Sequence, residues 1–177
     1  MDRLGLVHIY TGNGKGKTTA AIGLGIRACG SGINVLMVQF LKSSDTCELY
    51  TLKKLEPQFS VIRGFNCKKF VWNMTADEFT AAAKEANDIF ENVKNIVLKG
   101  EYDLIILDEL LGVLSLGFID EAAVIDIINC KPKDVELVLT GRDAPKSLIK
   151  LADYVSEIQA IKHPYERGVS ARRGIEF

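Results

Sequence analysis

A chain of 177 residues is long enough to bury one substantial core and is expected to form a single domain over residues 1–177. With 25% charged residues, 47% hydrophobic ones and a net charge of −1, it has a soluble, globular balance and lacks the basic excess of a nucleic-acid-binding domain. Its apolar runs fall short of a bilayer span and its first residues lack the apolar core of a secretion signal, so no membrane or nucleic-acid partner and a cytoplasmic location are expected.

Residues 6–10 form a short apolar run, read as a strand, that leads into Thr11-Gly12-Asn13-Gly14-Lys15-Gly16-Lys17-Thr18-Thr19. Glycines let successive backbone N–H groups turn toward one point, the following helix N-terminus adds partial positive charge, and Lys17 adds a full one. Thr18 stands where a hydroxyl reaches a divalent metal. The spacing is that of a phosphate-binding loop, with Thr11 in the place of the usual first glycine. An ordinary glycine-rich turn is the bland alternative. His8 has no partner at ligand spacing and reads as a packed or edge residue.

A helix is expected from Lys17 to about Cys29, packing through Ala20, Ala21, Leu24 and Ala28, and Gly30-Ser31-Gly32 ends it. Residues 34–40 read as a buried second strand, and 41–47 as an irregular loop at its carboxyl end, the edge on which open α/β sheets bind ligands. Residues 59–63 form a third strand with Gly64 as its stop. Residues 65–74 bring Phe65, Phe70 and Trp72 into a loop-like stretch, for which core packing is the default account. Cys29, Cys47, Cys67 and Cys130 show no C-x-x-C spacing and read as reduced structural thiols.

Thr75-Ala76-Asp77-Glu78 is a capping-box sequence, and Phe79, Ala82, Ala83, Ala86, Ile89, Phe90, Val93 and Ile96 follow at helical spacing until Gly100. Residues 102–109 then read as a buried strand that delivers Asp108 and Glu109 to its carboxyl end, where a nucleotide-bound Mg²⁺ could be held directly or through water. Together with the phosphate loop upstream, this acid pair resembles the RecA-like branch of P-loop proteins. A shorter helix over 120–129, a strand over 135–140 ending in Gly141-Arg142-Asp143, a helix from Pro145 to about Ala152 and a strand over 154–161 complete the alternation. Arg142 is either a cation beside the phosphates or a solvated surface charge. The basic tail over 162–177 could, on its own composition, simply be mobile.

Thr11-Gly12-Asn13-Gly14-Lys15-Gly16-Lys17-Thr18-Thr19, Val38-Gln39-Phe40-Leu41-Lys42, Phe70-Val71-Trp72, Leu107-Asp108-Glu109-Leu110, Leu139-Thr140-Gly141-Arg142, Lys162-His163 and Ala171-Arg172-Arg173-Gly174-Ile175-Glu176-Phe177 together resemble the P-loop type of ATP:corrinoid adenosyltransferase. The resemblance implies a three-layer α/β RecA-like fold with a mainly parallel six-stranded sheet in the order 3-2-4-5-1-6. It implies transfer of the 5′-deoxyadenosyl group of ATP to Co(I) of a reduced corrinoid, giving adenosylcobalamin or an adenosylated precursor and intact triphosphate. By position, Gly12, Asn13, Gly14, Lys15, Gly16, Lys17, Thr18, Thr19 and Arg142 would bind ATP, with Lys17, Thr18 and Glu109 catalytic. Thr18 and Glu109, with Asp108, would hold Mg²⁺ or Mn²⁺, and Phe70 and Trp72 would face the corrinoid. A reduced flavoprotein electron donor and a homodimer are further implications.

Three departures from the family pattern are visible. Lys69, Ser43 and Cys47 stand where relatives have glycine, and only residues 1–4 precede the first strand where many relatives carry a helical lid. Two rival expectations accompany the transferase: a RecA-like ATPase or switch, and a noncatalytic ATP-dependent corrinoid carrier.

Overall fold

The computed structural model describes residues 4–65 and 73–177. In chain order it runs β1 (Val7–Thr11), α1 (Lys17–Cys29), β2 (Val35–Gln39), α2 (Glu48–Leu52), β3 (Phe59–Arg63), α3 (Ala76–Lys99), β4 (Leu104–Asp108), α4 (Leu110–Ser115), α5 (Glu121–Cys130), β5 (Glu136–Thr140), α6 (Lys146–Leu151) and β6 (Tyr154–Glu157). The strands form one six-stranded sheet in the order β3-β2-β4-β5-β1-β6, as expected, and every pairing in it is parallel.

Strands buried on both faces explain the near-continuous apolar runs, because helices cover the sheet on each side. Alternate residues serve different layers. Leu36, Val38, Ile105, Leu107, Leu137 and Leu139 point into a core shared with Ala86, Phe90 and Val93 of α3 and with Val124 and Ile127 of α5. Val35, Met37, Leu104, Ile106 and Val138 point the other way, against Ala21 and Ala28 of α1 and the ring of Phe59.

Local signals place the helix ends. The Thr75 hydroxyl accepts from the Glu78 N–H while the Glu78 carboxylate accepts from the Thr75 N–H, so the capping box forms in full. Gly100 ends α3 in the left-handed conformation (φ 63°), which glycine adopts without a Cβ clash. Within α1, however, the packed stripe is Lys17, Ala21, Gly25 and Ala28; Ala20, one residue out of phase, is exposed. Among the free thiols, Cys29 and Cys47 are half-buried, Cys130 is exposed at the end of α5, and Cys67 lies outside the described residues.

The alternation over 154–161 yields a strand only over Tyr154–Glu157. Beyond it the chain leaves the sheet because its polar groups are used by the phosphate loop: the Ile158 N–H donates to the Thr11 carbonyl, and the Ile158 carbonyl accepts from the Gly14 N–H at 2.7 Å. Among the described residues no helix is long and apolar enough to cross a membrane.

The register brings the chemistry to one edge. Gln39 pairs with Asp108, and Tyr10 with Thr140, so β2, β4, β5 and β1 all end at the same side of the sheet.

Candidate active site

Positive φ at Gly12 (97°) and Gly16 (123°) shapes the loop between β1 and α1. At Gly12 there is also no room for a side chain, since a Cβ would stand 2.4 Å from the Ile158 carbonyl oxygen. The Asn13 side-chain oxygen accepts from the Ala160 N–H at 2.9 Å, so the loop is fastened along its outer side to the segment that follows β6. Lys17 is buried and folds back across the loop, donating to the carbonyls of Gly12 at 2.7 Å and Gly14 at 2.8 Å. Burial lowers its pKa, opposed by the nearby Glu109 charge. Its ammonium is therefore held at the centre of the loop, where phosphate oxygens would replace two weaker carbonyl partners.

The adjacent strand ends supply oxygen. Asp108 is fully buried, and its Oδ1 accepts from the hydroxyls of Thr18 and Thr140, both at 2.8 Å. The Thr140 hydroxyl in turn accepts from the Glu109 N–H at 3.0 Å. That bond secures an uncommon backbone conformation, for Glu109 has φ 61° at the start of α4. Burial and the neighbouring Asp108 charge raise the Glu109 pKa, with Lys42, Lys17 and Arg142 pulling it back. Asp108 Oδ2 accepts no hydrogen bond among the described residues, although the Lys42 ammonium lies 2.8 Å away as an ion pair.

A hydroxyl, a buried carboxylate oxygen free of hydrogen bonds and a second carboxylate make an all-oxygen set that suits a hard divalent cation. Among the described residues no group of three or more His, Cys, Asp or Glu side chains could hold a metal by itself. The set therefore fits a cation that arrives with phosphate oxygens and water rather than one caged by protein.

Both clusters open into one cleft of about 660 Å³. Its floor is the loop from Asn13 to Thr19, with Glu109 and Arg142 at one side and Lys42, Cys47 and Glu48 at another. Of the expected nucleotide ligands, residues 13–19 and Arg142 line it and Gly12 does not. Arg142 is exposed, as either of its expected readings allows, but it does border the cleft. Thr19 and Lys15 are also exposed.

The tail is not a detached segment. His163 and residues 174–177 line the cleft, and Glu176 pairs with Lys15 at 3.4 Å and with Arg172 at 3.0 Å. Phe70 and Trp72 lie outside the described residues. Two contributors, Lys42 and the carbonyl of Ile158, escaped sequence reasoning as site residues; for Thr140 the sequence places a hydroxyl near the phosphates but not its bridge between Asp108 and the Glu109 N–H. Each acts through a contact distant in sequence, and the hints at a role for Lys42 and Thr140 are their place at strand ends and inside the family motifs.

A phosphate loop, a buried acid at the end of β4 and a cleft roofed by the tail agree with comparisons spanning nearly the whole chain. The family model for ATP:corrinoid adenosyltransferase BtuR/CobO/CobP matches residues 3–177. The corrinoid adenosyltransferase CobA of Salmonella typhimurium is 34% identical over 177 residues, covering 99% of this chain and 87% of that protein. The corrinoid adenosyltransferase of Escherichia coli K12 is 32% identical over the same coverage, and that of Pseudomonas aeruginosa is 32% identical over 99% of this chain and 85% of its own. On the length and level of these matches, the chain belongs to the ATP:corrinoid adenosyltransferase family.

Proposed function

We propose that this chain is an enzyme that transfers the 5′-deoxyadenosyl group of ATP to Co(I) of a reduced corrinoid, with its chemistry at the cleft between the phosphate loop and the end of β4. The observation that carries the reading is the convergence of Lys17, Thr18 and Glu109 on one cleft, with the buried Asp108 hydrogen-bonded behind Thr18, in a chain of this family. In the transfer, the Co(I) electron pair attacks C5′ of the ribose, the Co–C bond forms, and the C5′–O5′ bond breaks with its electrons leaving on triphosphate. Co(I) needs no protein base. What the protein must supply is stabilisation of charge accumulating on the leaving group and an orientation of C5′ toward cobalt.

Lys17 serves the first task as a charge-assisted donor, and the loop N–H groups together with the N-terminus of α1 extend it. Gly12 to Thr19 and Arg142 bind the triphosphate of ATP. Thr18, Glu109 and Asp108 are the residues that would hold Mg²⁺ or Mn²⁺, which when bound neutralises charge on the leaving triphosphate. Phe70 and Trp72 are proposed to lie against the corrinoid, where apolar faces exclude water and favour four-coordinate cobalt. A reduced flavoprotein as electron donor, a homodimer and a cytoplasmic location complete the reading, with residues 1–177 acting as one domain.

Anaerobic incubation with Mg-ATP and chemically reduced cobalamin tests it, with Co–C bond formation followed by absorbance and triphosphate separated from phosphate. Light-sensitive adenosylcobalamin with stoichiometric triphosphate is the expected result. Phosphate without alkylated corrinoid would indicate an ATPase instead, and binding of both ligands with no product would indicate a carrier. For the aromatic pair, Trp72→Ala is expected to diminish the four-coordinate Co(II) signal in electron paramagnetic resonance while ATP affinity stays at the wild-type value. Loss of both together with loss of the folded state would assign Trp72 to the core.

A further inference from the structure

Lys42 has no part in the roles assigned so far, yet its ammonium occupies the most demanding position in the cleft. Asp108 is fully buried, and both hydroxyls that neighbour it, Thr18 and Thr140, bond to Oδ1. Among the described residues Oδ2 is left without a hydrogen bond, and a buried carboxylate in that condition calls for a cation. Lys42 Nζ stands 2.8 Å from it, and also 3.4 Å from Thr18 Oγ1 and 3.8 Å from Glu48 Oε1. Oxygens from β4, α1 and α2 thus surround the ammonium, and the first two belong to residues proposed above to hold a divalent cation.

The backbone holds Lys42 to this position. Leu41, immediately before it, has φ 54°, a left-handed conformation unfavourable for a leucine and sustained only where its surroundings enforce it. Arg63, at the end of β3, donates from Nη2 to the carbonyls of Lys42 at 2.9 Å and Ser44 at 2.7 Å, clamping the turn. The Phe40 N–H donates to the Asp108 carbonyl at 3.0 Å, so the ends of β2 and β4 are tied directly. With the backbone fixed on both sides, the mobile part is the four-carbon stem of the lysine. The side chain borders the same cleft as the phosphate loop, which brings a triphosphate within its compass.

An ammonium and a divalent cation cannot share Asp108 Oδ2, since like charges at contact distance repel strongly in a buried site. A free cation must therefore displace Lys42 toward the single Glu48 carboxylate 3.8 Å away, whereas a cation that arrives with nucleotide brings several phosphate oxygens to which the ammonium can move. We propose that Lys42 is a positioning residue that competes with the divalent cation for Asp108, so that metal is admitted together with nucleotide and not before it. The inference rests on the metal seat proposed above.

Titration of Mn²⁺ by electron paramagnetic resonance, on the full chain with and without ATP, tests it. Without ATP, Lys42→Met is expected to bind Mn²⁺ about tenfold more tightly than wild type, and Lys42→Arg to return the affinity to the wild-type level. Lys42→Gln serves if the methionine variant does not fold, and thermal melting checks each protein. Equal Mn²⁺ affinity of wild type and the neutral variants without ATP, while Asp108→Asn still weakens Mn²⁺ binding with ATP, would overturn the inference and leave the seat standing. Binding of Mn²⁺ with ATP that ignores both Asp108→Asn and Glu109→Gln would overturn the seat and the inference with it.

Discussion

Lys17 and Thr140 illustrate two ways in which a residue serves the cleft. Lys17 binds directly: with its ammonium held between the Gly12 and Gly14 carbonyls, it is already at the centre of the loop when phosphate arrives. Lys17→Ala is expected to weaken ATP binding by about 1.5 to 3 kcal/mol, the worth of a hydrogen bond to a charged group, as read by calorimetric titration. Thr140 works through others, since its hydroxyl donates to Asp108 and accepts from the Glu109 N–H. Thr140→Val keeps the shape and removes both bonds, leaving buried polar groups unsatisfied. It should cost about 1 to 3 kcal/mol of stability in denaturant unfolding, and a change within error would mean that water takes over both bonds. The role of Lys17 was legible from its place after three glycines, because phosphate-loop chemistry is local in sequence. That of Thr140 was not, because its partners lie 31 and 32 residues upstream and only the β4–β5 pairing brings them together.

Helix α1 shows what the sheet demands of an element packed upon it. Gly25 faces the sheet, where an added Cβ would stand 2.5 Å from Phe59 Cε2 and 3.2 Å from Ile106 Cδ1. Phe59 is fully buried and has no room to yield. Gly23, half a turn away, meets nothing within 4 Å. Alanine should therefore act in opposite directions at the two positions. Gly23→Ala is expected to stabilise by about 0.5 to 1 kcal/mol through lower chain entropy in the unfolded state. At Gly25 the same gain is outweighed by overpacking, at a cost of about 1 to 3 kcal/mol, so the net effect is destabilising. Paired thermal melts of the two variants decide it, and shifts of the same sign would contradict the packing. Strand and helix identities were readable here because strands buried on both faces show as near-continuous apolar runs, while the helices over them keep a period of 3.6. The exact packed stripe was not, since Ala20 and Gly25 are both small enough to pass for packing positions and only the seating of α1 on the sheet shows which of them is buried.

At the scale of the whole molecule, the last residues return to the first loop. Glu176 accepts from the Arg172 N–H and side chain and reaches Lys15, while Arg173 approaches Asp45 at 3.8 Å. The Arg172 bonds above all hold the Glu176 pKa down at about 2, from an ordinary value of 4.5. Because the folded value is depressed, chiefly by Arg172 within the tail, the contribution of this carboxylate to the tail's own folded turn is fully present above pH 4.5 and is lost as pH falls through about 2. A carbon-detected NMR titration of the Glu176 side chain should show that low midpoint; a midpoint near 4.5 would mean that the tail does not hold these contacts in solution. The amino-acid sequence was enough to specify a parallel α/β sheet, the phosphate loop and the acid pair, since each is written in residue types at short spacing, and the family motifs along the chain carried the corrinoid substrate and the strand order. Tertiary structure alone decided that the loop is fastened by Ile158 and Ala160, that Lys42 stands on Asp108 and that the tail walls the cleft. Those contacts join residues that no local pattern relates, and only the order and register of the strands bring them to one edge of the sheet.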